Sequence, residues 1–361
     1  MRPYLFLVFL IFLVDSAFAG SRWDLFGSYN GLYESNIYHA FDKSIEKSAY
    51  VNALSAKVSW KMGGYRFMHR ANVFAEYNVY TNYGNRNHGS IGLQYRPAFR
   101  YWSRGRLSGD FVLSRRNKDL IDDTGTLQTR TLKRWEHAAA LSHRLDLGRF
   151  ELGQSVDYER LNYDEQSGST SYDYDGWTAK LSAQYQPADW LKLLTEFSSG
   201  HRDYQARKTY SIRSGPYAGK PFQIRNFREH VVEGRAYINF WGRNEVSLFA
   251  EYALRKDNFE NFYGYIQRQY SATFKLYLCE YHETKIMFEF KNKDYPNYWN
   301  NSIGRAKRVH IYYTDFQFEH RYALTNKIVL LGSFRNYNKV SNYRLYDYHD
   351  VTGGMGIEVT I

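Results

Sequence analysis

Cysteine occurs once in this chain, at Cys279, so no intramolecular disulfide can staple the fold and no thiolate cluster can hold a metal. Proline is scarce, at 6 residues, and no biased low-complexity tract marks a disordered segment. Beyond residue 20 no stretch approaches the 18 consecutive apolar residues that a membrane-spanning helix needs. A glycine-rich phosphate loop and zinc-ligand spacings are missing too, so no cofactor and no metal are expected. Aromatic side chains, in contrast, are abundant, with 35 Tyr, 24 Phe and 8 Trp. Such residues suit pleated, half-buried surfaces, and Tyr suits a boundary between apolar and wet surroundings. The composition therefore points to an all-β fold.

Residues 1–20, "MRPYLFLVFLIFLVDSAFAG", carry Arg2, an apolar run from Tyr4 to Val14, and the small-residue pattern Ala17-Phe18-Ala19. This is the layout of a secretory signal, expected to span 1–19 and to be removed on export, leaving 20–361 as a single domain.

Within that domain, hydrophobicity alternates with period two. In "LSHRLDLGRFELGQSVDYERL" (141–161), Leu141, Leu145, Phe150, Leu152 and Val156 take one face, while Arg144, Glu151, Asp157 and Glu159 take the other. The pattern recurs in about sixteen segments of roughly 10–15 residues, longer than the usual five or six of soluble sheets. Short links such as Gly63-Gly64, Leu147–Arg149 and Gly242–Asn244 alternate with long polar ones such as "GHRDYQARKTYSIRSGPYAGKPFQIRN". Long tilted strands joined alternately by tight turns and long loops describe a transmembrane antiparallel β-barrel of about 16 strands, apolar outside and wet inside. Closure is required, because an open edge in hydrocarbon leaves backbone groups unpaired.

In this pattern the chain resembles the bacterial outer-membrane β-barrels, and their porin-like members most of all. The final segment "DVTGGMGIEVTI" is similar to the C-terminal signal read by the barrel-insertion machinery, although Ile361 stands where Phe or Trp is common. The resemblance implies an integral outer-membrane location, short periplasmic turns, long extracellular loops, and a non-enzymatic channel for small polar or anionic solutes. Two aromatic girdles are expected. One, near the short turns, includes Trp23, Trp60, Tyr101, Trp102, Phe150, Trp190, Phe240, Trp241 and Tyr322. The other, near the long loops, includes Tyr77, Tyr80, Tyr158, Tyr163, Trp177, Phe262, Tyr263, Tyr295, Tyr337 and Tyr346.

Function must then come from the inner face. Pairing about Gly63-Gly64 places Lys61 opposite Arg66 and Lys57 opposite Arg70, and the next strand adds Arg96 and Arg100, which makes one wall strongly basic. The same procedure pairs Arg235 with Glu251, Lys275 with Glu289 and Asp315 with Arg335 as stiffening ion pairs. In porins the third loop folds inward, and by that resemblance Asp119, Asp122 and Asp123 of "RRNKDLIDDTGTLQTR" would oppose the basic wall.

Other readings were open. The pair His88 and Ser90 has a spacing a lipid hydrolase could use, but both face inward and no third orienting residue is evident, so no catalytic residue is expected. The net charge of +11 is expected to meet outer-membrane lipid and lipopolysaccharide phosphates, not nucleic acid. A saccharide or polysaccharide export pore, or a structural or adhesive barrel with a filled lumen, fits the same pattern. His69, His137 and His143 fall on the lipid-facing parity, where polar groups are costly, and so predict a homo-oligomer meeting through this region.

Overall fold

The computed structural model describes residues 21–35, 48–81, 87–121, 127–163, 173–208, 224–258, 263–300, 307–342 and 347–360. The expected signal segment, Phe262, Tyr346, Asp122, Asp123 and Ile361 lie outside them.

Every alternating segment becomes a strand. In chain order these are β1 (Arg22–Glu34), β2 (Ala49–Gly63), β3 (Phe67–Tyr80), β4 (His88–Tyr101), β5 (Gly105–Ile121), β6 (Leu127–Asp146), β7 (Phe150–Tyr163) and β8 (Tyr174–Ala188). The second half comprises β9 (Leu191–Lys208), β10 (Ile224–Phe240), β11 (Asn244–Asp257), β12 (Tyr265–Cys279), β13 (His282–Asn300), β14 (Lys307–Ala323), β15 (Ile328–Ser341) and β16 (Tyr348–Thr360). Each pairs antiparallel with its chain neighbours, and β1 pairs with β16 from Phe26↔Thr360 to Glu34↔Thr352, closing the barrel. Closure gives every strand two partners, which removes the edge that hydrocarbon would not tolerate.

The two faces separate as the alternation requires. Leu141, Phe150, Leu152, Val156 and Leu181 are exposed on the outside, although all are strongly apolar. Such a surface is stable only against lipid: each large apolar side chain left in water forfeits about 1.5–3 kcal/mol of burial.

The short turns carry exposed apolar tips, including Tyr65, Leu147, Trp190, Tyr281 and Leu324. Trp102 and Trp241 are 83% and 88% exposed and hold φ of 48° and 43°, a left-handed conformation that is unusual for a bulky residue. Tyr101 and Phe240 meet these two indoles edge-on, at 5.6 and 5.7 Å between ring centroids.

Turn positions set the register, and here the structure departs from the sequence reading. The β2–β3 turn is centred on Tyr65 and Arg66, with Gly64 N donating to Phe67 O at 2.8 Å and Gly63 at φ 124°. Lys61 therefore faces Arg70, not Arg66, and Lys57 faces Phe74, not Arg70. Between β10 and β11 the turn is Trp241-Gly242-Arg243, with Gly242 at φ 80°, so Arg235 faces Phe249 and Glu251 faces Glu233. Lys275 likewise faces Lys285, and Glu289 faces Ser271. Each shift is by an even number of residues. Strand period is two, so the inward or outward identity of every side chain survives while its cross-strand partner changes.

Candidate functional site: the barrel lumen

The inner face of β2–β6 is basic. Lys57 and Lys61 of β2, Arg70 of β3, Arg96 and Arg100 of β4, Arg106 and Arg116 of β5, and Arg134 and Arg144 of β6 all fall on the inward parity. Among the described side chains of these strands, Glu76, Asp110, Glu136 and Asp146 are the inward acids. Two rows of like charge cross the wall in register. Lys61, Arg70 and Arg96 form one, and Arg100, Arg106 and Arg144 form the other. Like charges directly opposite one another destabilise a sheet, so neither row is explained by strand pairing.

Part of this wall is neutralised by acids that alternation alone did not single out. Lys61 Nζ meets Asp24 at 2.6 Å, and Arg96 Nε meets Asp110 at 2.8 Å. Asp110 also accepts from Gln94 Nε2 at 2.9 Å, and Gln94 Oε1 accepts from Asn72 Nδ2, which is 1% exposed, at 3.1 Å. Arg116 and Arg134 converge on Glu136, and Arg144 reaches Glu151 at 3.1 Å. Arg100 lies over the Tyr65 ring at 4.8 Å. Lys57, Arg66, Arg70 and Arg106 form no ion pair with the described residues, and Arg66 sits in the β2–β3 turn, not on the wall.

The next stretch of wall, β7–β11, reverses the balance. Glu151, Asp157 and Glu159 of β7, Glu196 of β9, Glu229 and Glu233 of β10 and Glu245 and Glu251 of β11 point inward, and the cations among them are engaged. Lys180 meets Asp157 at 2.8 Å, and Arg235 meets Glu233 of its own strand at 3.1 Å while stacking on Phe249. The expected Arg235–Glu251 pair is thus replaced, and Glu251 instead accepts from Gln267 Nε2 at 2.6 Å. Lys275 pairs with Glu283 at 3.1 Å in place of Glu289, whose neighbour is Lys291 at 3.9 Å. Arg335 and Asp315 do meet, though diagonally, through guanidinium bonds of 2.7, 2.9 and 3.1 Å.

Towards the long loops, the β8–β15 side of the lumen is packed with aromatic rings and cations. Arg255 lies between Phe227 and Tyr265 at 4.2 and 4.3 Å, Arg202 lies over Tyr174 at 4.4 Å, and Lys293 over Tyr265 at 4.1 Å. Desolvated cation–π contacts of this kind are worth about 2 kcal/mol. Tyr265 donates to Glu229 at 2.6 Å, and Lys339 is 1% exposed beside Tyr313 and Tyr348. Tyr163, Tyr263, Tyr295 and Tyr337 belong to this interior packing, not to the outer girdle expected for them: Tyr163, Tyr295 and Tyr337 fall on the inward parity, and Tyr263 is buried in the turn that leads into β12. Tyr80, also inward, leaves the girdle as well, whereas Tyr77, Tyr158 and Trp177 are exposed outside.

Of the acids expected at the constriction, Asp122 and Asp123 lie outside the described residues and Asp119 lies within them. β5 runs on to Ile121 and β6 begins at Leu127, so Asp119 sits in the strand ladder opposite Thr131. His88 and Ser90 are inward but engaged separately, with Asn78 donating to His88 Nε2 at 3.0 Å and Ser90 donating to Glu76 at 3.4 Å. On the outer face, His69 shares a 2.7 Å hydrogen bond with the Tyr95 hydroxyl, and His143 bonds Tyr101 and Gln154. The sheet itself supplies partners for both.

No family model matches the chain, and no curated protein matches it in sequence. Solved structures do match in fold. OccAB3 of Acinetobacter baumannii superposes at a TM-score of 0.54 and 8% identity over 95% of this chain and 100% of that one. OprB of Pseudomonas putida gives 0.54 at 12% identity over 97% and 96%, and the outer-membrane protein opdK of Pseudomonas aeruginosa gives 0.53 at 9% over 94% and 99%.

Proposed function

Because the chain folds as a closed 16-strand outer-membrane porin barrel, we propose that it is a passive channel of the outer membrane for small polar solutes, with a preference for anions. The observation that carries this reading is Arg70, a lumen cation without an ionic partner among the described residues, set in register between Lys61 and Arg96. A wall on which cations outnumber carboxylates lowers the energy of a negative solute in the lumen. Water-filled pores screen such fields over about 8 Å at physiological salt, so the preference is modest. Reversal potentials across a KCl gradient in planar bilayers test it: anion preference supports the proposal, and cation preference ends it.

A second reading, a barrel whose lumen is filled, draws support from the Tyr, Arg and Lys packing along the β8–β15 wall. The same bilayer measurement separates the two, since a filled barrel conducts no current.

A further inference from the structure

A recess of about 340 Å³ opens in the lumen wall between β5 and β9, close to the short turns. Its inward lining is Arg106 and Ser108 of β5, Ser142 and Arg144 of β6, Gly153 and Ser155 of β7, Lys180 and Ser182 of β8, and Glu196 of β9. Strand register assembles this lining. One row runs Arg106↔Arg144↔Gly153↔Ser182↔Glu196, and the row above it runs Ser108↔Ser142↔Ser155↔Lys180. Small side chains across four neighbouring strands create the hollow, and cations stand at its edges.

The donors are in excess of the acceptors. Arg144 is engaged by Glu151 and Lys180 by Asp157, each keeping further N–H groups, whereas Arg106 has no ion-pair partner among the described residues. Its Nε is buried without a hydrogen bond, although it sits directly between Arg100 and Arg144. Ser108 and Ser142 are bonded to each other, through a 2.8 Å bond between their hydroxyls and a 3.4 Å bond from Ser142 Oγ to Ser108 O, so the donors left over on this floor are those of Ser155 and Ser182. Ser155 and Ser182 have no side-chain bond to the described residues. Three adjacent arginines and a floor of hydroxyl donors, opposed inside the recess by Glu196 alone, are costly in an empty barrel.

We propose that this recess binds phosphate, as the free anion or as the monoester of a small solute on its way through the lumen. A carboxylate presents two oxygens in one plane and a single charge, whereas phosphate carries at least three acceptor oxygens arranged tetrahedrally and a charge of about −1.5 to −2. That number of oxygens and that charge match Arg106 together with Arg144 on one side and the serine hydroxyls on the other. The inference rests on the proposed pore, because Arg106, Arg144 and the serines that would hold the anion are on the inward face.

The test uses the full refolded barrel in detergent, titrated with inorganic phosphate by calorimetry at fixed ionic strength, so an open pore is not required for the readout. Saturable binding is expected, weakened about tenfold by Arg106→Gln and about threefold by the charge-preserving pair S155A/S182A, each on the scale of one or two lost hydrogen bonds. Lys327→Gln, in the β15 turn, leaves it unchanged. Phosphate added to the same protein in planar bilayers then reduces chloride current with the same concentration dependence. Absence of saturable binding, or equal binding by wild type, R106Q and S155A/S182A, overturns the phosphate site. A barrel that binds phosphate in this way but passes no current overturns the pore reading and leaves the site standing.

Discussion

The inner walls β2–β6 and β7–β11 are both dense in charge, yet they use it differently. On β7–β11 the basic groups are committed to neighbours: Lys180 to Asp157, Arg235 to Glu233, and Arg202 and Arg255 to aromatic faces. Such pairs hold a wall in shape, and each is worth about 1 kcal/mol or less where water reaches it. On β2–β6, Lys57, Arg70 and Arg106 lack that commitment, and two like-charged rows cross the strands. Charge that is paired locally stiffens the sheet; in the proposed pore, charge left over would set the field a solute meets. The number of Lys and Arg in a wall is therefore a poor guide to selectivity, and their pairing is a better one.

The largest expected effect comes from erasing the contrast. Replacing Lys57, Arg70, Arg100 and Arg106 together with Gln removes the excess of the basic wall and leaves the acids of β7–β11 dominant, so the reversal potential in a KCl gradient changes sign. Retained anion preference would place the selective field elsewhere.

Stability should respond the other way round. Asp315, buried and bonded three times by Arg335, is expected to cost about 1–3 kcal/mol when changed to Asn, read as a lower urea midpoint of the folded barrel. Arg70→Gln, which relieves repulsion from Lys61 and Arg96, should leave that midpoint unchanged or raise it slightly.

A finer comparison uses single sites. Arg70→Gln should bring the reversal potential part of the way to zero, while the charge-neutral pair E233Q/R235Q should leave it in place; equal shifts would mean that pairing does not matter. The smallest effect is one of medium: diluting the salt lengthens the Debye screening distance from about 8 Å towards 30 Å at 0.01 M, so the anion preference should grow with dilution.

Most of the architecture was legible from period-two alternation. It yielded the all-β barrel, the strands, and the face of residues such as Leu141, Val156, Lys61 and Arg96, because parity depends only on position along a strand. Partners were harder to read, because register depends on where a turn is centred. Tyr65 and Arg66 enter the β2–β3 turn, and Trp241 adopts a left-handed φ before Gly242, where a glycine pair or a Gly-Arg step looked like the natural centre. Each displacement moved cross-strand pairs by two or four residues. Arg235–Glu251 and Lys275–Glu289 were lost in that way, while Arg335 still reached Asp315 along a diagonal. The partners Asp24 and Asp110 were visible as inward-parity acids beside Leu25 and Phe111. The interior tyrosines differ from the girdle expectation because position near a strand end does not decide which face a ring takes; parity does. Arg106 escapes the alternation because it directly follows a short turn, although it is the second residue of β5.

The pairing of β1 with β16 has a kinetic side. Strands elsewhere in the barrel can zip to a chain neighbour across a turn of a few residues, but the bonds from Phe26↔Thr360 to Glu34↔Thr352 join segments from opposite ends of the domain. Contacts of such sequence separation form slowly, since nearly the whole chain must be positioned before they repay its ordering. Until they form, two strands offer open hydrogen-bonding edges to any other unfolded chain nearby. Once they form, unfolding has no free edge from which to peel, so the closed barrel persists through its barrier to opening as much as through its equilibrium free energy.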